Sequence, residues 1–184
     1  MPTTRERIIS ASVALVGERG ASALTHRQVD ARAGLPIGST SNYFRTKAAL
    51  LKGAIEGVIT SESPLLEVAK SVETRDELQA GLLGFVRAVT GEEMQSVTAA
   101  RLALFLEGRH NPELRAWVAE ARAGYTTVLS QTLSRLGAAD PTAGATALMA
   151  VMEGSIVAIT CTPAEDPSPA ISVVLDGIFR PSGD

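Results

Sequence analysis

Apolar positions along the chain recur mostly at three- and four-residue spacing, and β-branched alternation is scarce, so the pattern reads as helical throughout. The first stripe, Ile8, Ala11, Ser12, Leu15 and Val16, predicts a helix over residues 4–19, stopped by Gly20. A second helix is expected over 25–34 and a short third over 37–43. A fourth starts after Thr46 and reaches about residue 62, where Pro64 bends or ends it. Longer helices are expected over 75–90, 92–108, 112–136, 141–162 and 168–179, nine in all, with Pro163, Pro167 and Pro169 forcing an irregular link before the last. Local chemistry marks the starts. Thr3 with Glu6, Thr25 with Gln28, Thr74 with Glu77 and Thr90 with Glu93 fit the capping box, in which two side chains satisfy free backbone N–H groups. Asn111-Pro112 and Asp140-Pro141 put a capping side chain before a proline at the first helical position.

Composition narrows this all-α reading. With 184 residues, 45% hydrophobic and 20% charged, the chain can bury a core without a disulfide or metal staple. Cys161 stands alone, so no internal disulfide is expected, and His26 and His110 are too far apart to read as a metal pair. Arg5, Glu6 and Arg7 interrupt the start, which argues against a signal segment. Residues 141–164 are long enough for a membrane span, yet Glu153 sits mid-segment among Gly, Thr and Ser. The expectation is a soluble cytoplasmic protein with no membrane partner, cofactor or metal.

The net charge of −3 argues against a nucleic-acid partner until it is divided. Residues 1–52 hold Arg5, Arg7, Arg19, Arg27, Arg32, Arg45, Lys47 and Lys52 against Glu6, Glu18 and Asp30, a net +5. The other 132 residues hold 9 basic and 17 acidic side chains, a net −8. A basic third on an acidic body points to one region that meets an anion, although charged helix surfaces and chance fluctuation give similar windows.

The basic third contains LTHRQVDARAGLPIGSTSNYFRTKAALL, residues 24–51. Val29 and Ala33 face inward, Gly34 permits the positive φ of a tight turn, Leu35 tucks into the core, and Pro36 or Ile37 starts the next helix. That is the layout of a helix-turn-helix, whose second helix lies in the major groove. Its third helix carries Ser39, Thr40, Ser41 and Asn42, small polar groups that allow close approach to bases.

These residues resemble the DNA-binding domain of TetR-family transcriptional regulators. The resemblance lies in Thr25 and Arg27, the turn of residues 31–34, Gly38 and Ser39, the aromatic pair Tyr43 and Phe44, and Lys47 with Leu50 and Leu51. It covers about residues 5–52. Thr40 and Ser41 depart from it, since the family often has an apolar residue then a tyrosine there. The resemblance implies that Thr25 caps the second helix and bonds a phosphate, and that Arg27 contacts phosphate or a base edge. It makes Ile37, Gly38, Ser39, Ser41 and Asn42 the groove-facing set, with Thr40 packed inward. Tyr43 and Lys47 would bond phosphate, and His26 would make a backbone contact.

For the acidic body the family precedent is a bundle holding a small-molecule effector. Phe85, Phe105, Trp117, Tyr125 and Met149 could line such a cavity, with Arg101, Glu107 or Glu153 supplying polarity, although each also fits ordinary core packing. Glu153, alone on an apolar helix, needs a partner. Residues 141–162 are apolar nearly all round, which suggests burial on most sides and a dimer interface as the second layer. Gly144, Gly154 and Ser155 would allow close helix approach. The resemblance implies that this helix, with Leu148 and Val151, and the last one, with Ile171, Val174, Leu175 and Ile178, pair with their two-fold mates. The whole is then a DNA-binding head over 1–47 on an effector-binding and dimerisation domain over 48–184. It implies a homodimeric repressor of a palindromic operator in double-stranded DNA, released by a small apolar effector. A small helical enzyme fits less well, since no phosphate-cradling glycine loop and no Cys/His or paired-carboxylate arrangement stands out. A helical interaction module without DNA predicts that charge reversal at Arg27 and Lys47 changes nothing.

Overall fold

A computed structural model describes residues 1–162 and 166–180. Among them the protein is all-α, with helices α1 (Thr4–Arg19), α2 (His26–Ala33), α3 (Ser39–Tyr43), α4 (Lys47–Lys70), α5 (Arg75–Thr90), α6 (Gln95–Glu107), α7 (Pro112–Arg135), α8 (Pro141–Cys161) and α9 (Ser168–Ile178). Short 3-10 turns occupy Ala21–Ala23 and Glu92–Met94. Pro163 of the expected link lies outside the described residues.

Most helix starts follow from side chains three residues apart. Thr3 accepts from the Glu6 amide at 3.3 Å while the Glu6 carboxylate accepts from the Thr3 amide at 2.7 Å. Thr74 and Glu77 make the same reciprocal pair for α5. Asn111 accepts from the Leu114 amide at 3.1 Å and Asp140 from the Ala143 amide at 2.9 Å. Thr25 accepts from the Gln28 amide, but Gln28 gives no return bond and its buried Oε1 has no partner among the described residues. The box expected at Thr90 and Glu93 does not form. The Thr90 hydroxyl donates back to the Val86 carbonyl at 2.7 Å, and the 3-10 turn displaces the start of α6 to Gln95.

The larger correction concerns α4, which continues through Pro64 to Lys70. A mid-helix proline removes one backbone bond and crowds the preceding turn, a cost of about 3 kcal/mol. Tertiary contacts offset it at the far end, where the Arg135 guanidinium donates to the Lys70 carbonyl at 2.9 Å and satisfies an acceptor the helix terminus leaves open. That partner lies 65 residues away and is invisible to local pattern.

The chain resolves into two compact units, Met1–Glu62 with Glu93–Ala121, and Ser63–Glu92 with Arg122–Asp184. In the first, Ile8, Leu15, Val16, Leu24, Val29, Leu50, Leu51, Leu104 and Leu114 form the core. There α1 packs on α6 so closely that a β-carbon at Gly17 would stand 2.2 Å from the Ser96 carbonyl oxygen. Gly17→Ala is therefore expected to force α1 and α6 apart and lower the unfolding free energy by about 1–3 kcal/mol. Gly124→Ala, on an α7 position with nothing within 4 Å, is the contrast and should raise it by about 0.5–1 kcal/mol. Urea denaturation of the two variants checks both signs. In the second unit, Leu78, Leu82, Val86, Val89, Leu133, Leu148, Ile156, Ile171 and Leu175 form the core.

Candidate nucleic-acid interface

The two helices of the motif meet through a turn set by two glycines. Gly34 ends α2 with φ 62°, and the Leu35 amide closes back on the Asp30 carbonyl at 2.9 Å. Gly38 precedes α3 with φ 92°. The recognition helix is shorter than the spacing predicts, so Ile37 and Gly38 lie in the turn before it and Ile37 is 86% exposed. From α1, the Arg7 guanidinium donates to the carbonyls of Ala33 at 2.6 Å and Gly34 at 3.2 Å, fastening the end of α2.

The pattern reading missed Asp30. Its side chain is 1% exposed and accepts from the Gly38 amide at 2.7 Å, the Thr40 amide at 2.7 Å and the Thr40 hydroxyl at 2.6 Å. Burial by itself would raise its pKa. The donors on Thr40 and Gly38, with His26 nearby, outweigh that and hold the carboxyl below the usual range. Thr40 is fully buried, and its departure from an apolar residue is accounted for by this carboxylate. A charged residue beside Val29 on a core-facing turn was the available signal. His26 places its Nε2 2.6 Å from the Phe44 carbonyl oxygen.

Thr25, Arg27, Ile37, Gly38, Ser41, Asn42, Tyr43 and Lys47 are all exposed. Ser39 is half-buried, its hydroxyl donating to the Pro36 carbonyl at 2.7 Å. The eight cations of residues 1–52 divide by engagement. Arg5 pairs with Glu56 at 2.7 Å, Arg32 pairs with Glu18, Arg7 holds the α2 terminus, and Lys52 lies over the Trp117 ring at 5.7 Å. Arg27, Arg45 and Lys47, which flank α3 in sequence, carry no ion pair among the described residues, and neither does Arg19 at the end of α1.

Comparison with known proteins agrees with this geometry. Residues 8–54 match the family described as bacterial regulatory proteins, tetR family, and residues 73–181 match the tetracyclin repressor-like C-terminal domain. The chain belongs to the TetR family. Its fold is shared with a transcriptional regulator of Rhodococcus sp. RHA1, at 22% identity over 97% of each chain and a TM-score of 0.80. A TetR-family member from Streptomyces coelicolor A3 is 27% identical over 94% of this chain and 98% of its own, with a TM-score of 0.75. The multidrug binding protein EbrR, in complex with malachite green, is 26% identical over 96% of this chain and 98% of its own, with a TM-score of 0.73. No curated protein matches in sequence. This TetR-family chain is a DNA-binding transcriptional regulator.

The candidate effector residues of this TetR-family chain fall in both units. In the first, Arg101 is buried and paired with the fully buried Glu62 at 3.5 Å, and Phe105 lies beside the Arg101 guanidinium. Glu107 is half-buried, and Trp117 packs against the core. In the second, Met149 is core, Tyr125 packs against it, and Phe85 lines an open cleft of about 550 Å³ with Val72, Glu77 and Gly81. Glu153 finds its partner on α7. Arg122 donates to both carboxylate oxygens at 2.8 and 2.9 Å, and these bonds raise the Arg122 pKa above its ordinary value. Among the described residues, no group of three His, Cys, Asp or Glu side chains is placed to hold a metal ion.

The candidate dimer residues fall on different faces of α8 and α9. Leu148, Ile171 and Leu175 are fully buried in the core of their own unit. Gly144 is buried too, its missing β-carbon leaving room for Leu133 and Ile178. Val151, Ser155, Val174 and Ile178 are half-buried at the margin. The outward face of α8 is instead Ala143, Ala147, Ala150, Gly154, Val157 and Ala158, and that of α9 includes Ala170, Val173 and Gly177. α8 is also long and apolar enough to cross a membrane by length and composition, with 33% of that span buried.

Proposed function

We propose that the protein is a homodimeric repressor that reads a palindromic operator and is released by a small apolar molecule. The observation that carries this is the outer surface of α2, α3 and the start of α4, where Arg27, Ser41, Asn42, Tyr43 and Lys47 are exposed, the two cations without ion pairs among the described residues. Arg27, Tyr43 and Lys47 grip phosphates, and Thr25 caps α2 while bonding the backbone of the duplex. Asn42 can bond adenine with two hydrogen bonds, Ile37 offers apolar contact to a thymine methyl, and Ser39, Ser41 and Gly38 allow close approach. The functional boundary lies after residue 47. It is a different quantity from the packing boundary, since α1 of the head packs on α6 of the body within one compact unit.

The exposed small and apolar face of α8 and α9 supports pairing of two copies rather than insertion in lipid. A two-fold dimer sets its heads at half-sites roughly 34 Å, or a multiple, apart. An apolar effector is supported by the neutralisation of the candidate polar groups, Arg101 by Glu62 and Glu153 by Arg122. EbrR, a relative, binds malachite green, ethidium and proflavin. Effector binding would weaken the operator complex through a coupling free energy between the two sites. Gel-shift titration against the DNA upstream of its own gene tests the reading. Specific, salt-sensitive binding to that fragment is expected, and its absence from every promoter fragment tried would overturn it.

A further inference from the structure

We infer that His26 and Asp30 are positioning residues for sequence reading: one turn apart on α2, they hold the two ends of the recognition helix. The inference rests on the DNA-reading proposal above and specifies how base contact is kept apart from phosphate contact.

α3 has five residues, far too few to be stable as an isolated helix. It has no side-chain cap of its own, because its N-cap residue is Gly38. The amides at its entry, from Gly38 and Thr40, are taken instead by the buried Asp30 carboxylate, which also receives the Thr40 hydroxyl. At its exit, the Phe44 amide bonds the Thr40 carbonyl at 2.9 Å, and the Phe44 carbonyl is met by His26. A carbonyl oxygen only accepts, so the His26 Nε2 carries the proton. Residues 26 and 30 stand on one face of α2, so a single helix face supports both termini of α3. Thr40 is then pinned at its amide and hydroxyl, and Ser41 and Asn42, which follow it directly in α3, inherit that placement.

Arg27, Arg45 and Lys47 lie outside this clamp. Arg27 is on α2 itself, and Lys47 opens α4, whose first turn is capped by Thr46 accepting from the Ala49 amide at 3.1 Å. Loosening α3 should therefore cost base discrimination and leave phosphate attraction in place. A merely structural role would lower both together.

The test uses the full-length protein and a duplex enriched by the wild type from a random-sequence pool. Affinity for that duplex and for a scrambled one is measured across salt concentrations. Asp30→Ala, and His26→Ala beside His26→Gln, which retains a side-chain N–H donor, are compared with the wild type. The expected result for Asp30→Ala and His26→Ala is an about tenfold to hundredfold fall in the ratio of the two affinities, the range of one good base contact. The scrambled-duplex affinity and its salt slope stay unchanged, and His26→Gln recovers discrimination that His26→Ala loses. Amide exchange in the free protein should speed up at Gly38 and Thr40 in Asp30→Ala. Should Asp30→Ala not fold, the His26 pair decides alone. Discrimination within twofold of wild type in the folded variants overturns the positioning role while leaving DNA binding intact. Failure of the wild type to enrich any duplex overturns the DNA reading and this inference with it.

Discussion

Replacing Arg27 and Lys47 together by glutamate is expected to lower operator affinity by about a thousandfold or more near physiological salt, with fold and assembly unchanged. Each phosphate neutralised by a cation releases condensed counterions, contributing about 0.9 to the slope of log affinity against log salt. A dimer would lose four such contacts, so the alanine pair alone should flatten that slope by roughly 3.6. Glutamate adds repulsion from the same phosphates. Stability should change little, within about 0.5 kcal/mol, because both side chains are exposed and neither carries an ion pair among the described residues. Arg7→Ala is the informative contrast. It removes bonds to the Ala33 and Gly34 carbonyls, so it should lower thermal stability and affect DNA binding only through the fold. Fluorescence anisotropy over a salt series, with circular dichroism on the same samples, separates the two. An unchanged salt slope in the Arg27 and Lys47 variant would remove these residues from the phosphate contacts.

The second large effect is expected on the outward face of α8. Val157→Glu or Ala150→Glu puts a carboxylate on an exposed face of small and apolar residues, beside a Glu153 already paired with Arg122, without touching the core behind it. At a two-fold interface the substituted groups meet their own copies, and each would be desolvated beside a like charge. The variants should sediment as monomers and bind the operator at least about a hundredfold more weakly. The second half-site contact is intramolecular in a dimer and is lost in a monomer. Leu148→Ala, on the same helix but facing inward and fully buried, should instead cost about 2–5 kcal/mol of stability. Charged variants that remain dimeric would move the interface to another face.

The contrast between Val157 and Leu148 marks a limit of the pattern reading. α8 is apolar nearly all round, so periodicity carries no information about which stripe meets the protein's own core. The eight dimer candidates accordingly mix core residues such as Leu148, Ile171 and Leu175 with half-buried ones such as Val151, Ser155, Val174 and Ile178. The head was more legible. Its turn depends on glycines at 34 and 38 and a threonine cap at 25, features that act over three or four residues and can be read in order. The exposed set from Arg27 to Lys47 follows once that turn is placed.

What the sequence determined by itself was set by short-range chemistry: the helical class, the starts at Thr3, Thr74, Asn111 and Asp140, and the stops at Gly20 and Gly34. Capping is a bond between residues three apart, so its partners are adjacent in the text of the chain. The tertiary structure decided the rest. It carried α4 past Pro64, joined Asp30 to Thr40 and Glu153 to Arg122, and sorted the faces of α8. Those bonds span 10 and 31 residues, and a one-dimensional pattern does not state which distant donor meets which buried acceptor. Only packing makes the choice, because burying a carboxylate without its donors costs more than either helix gains alone.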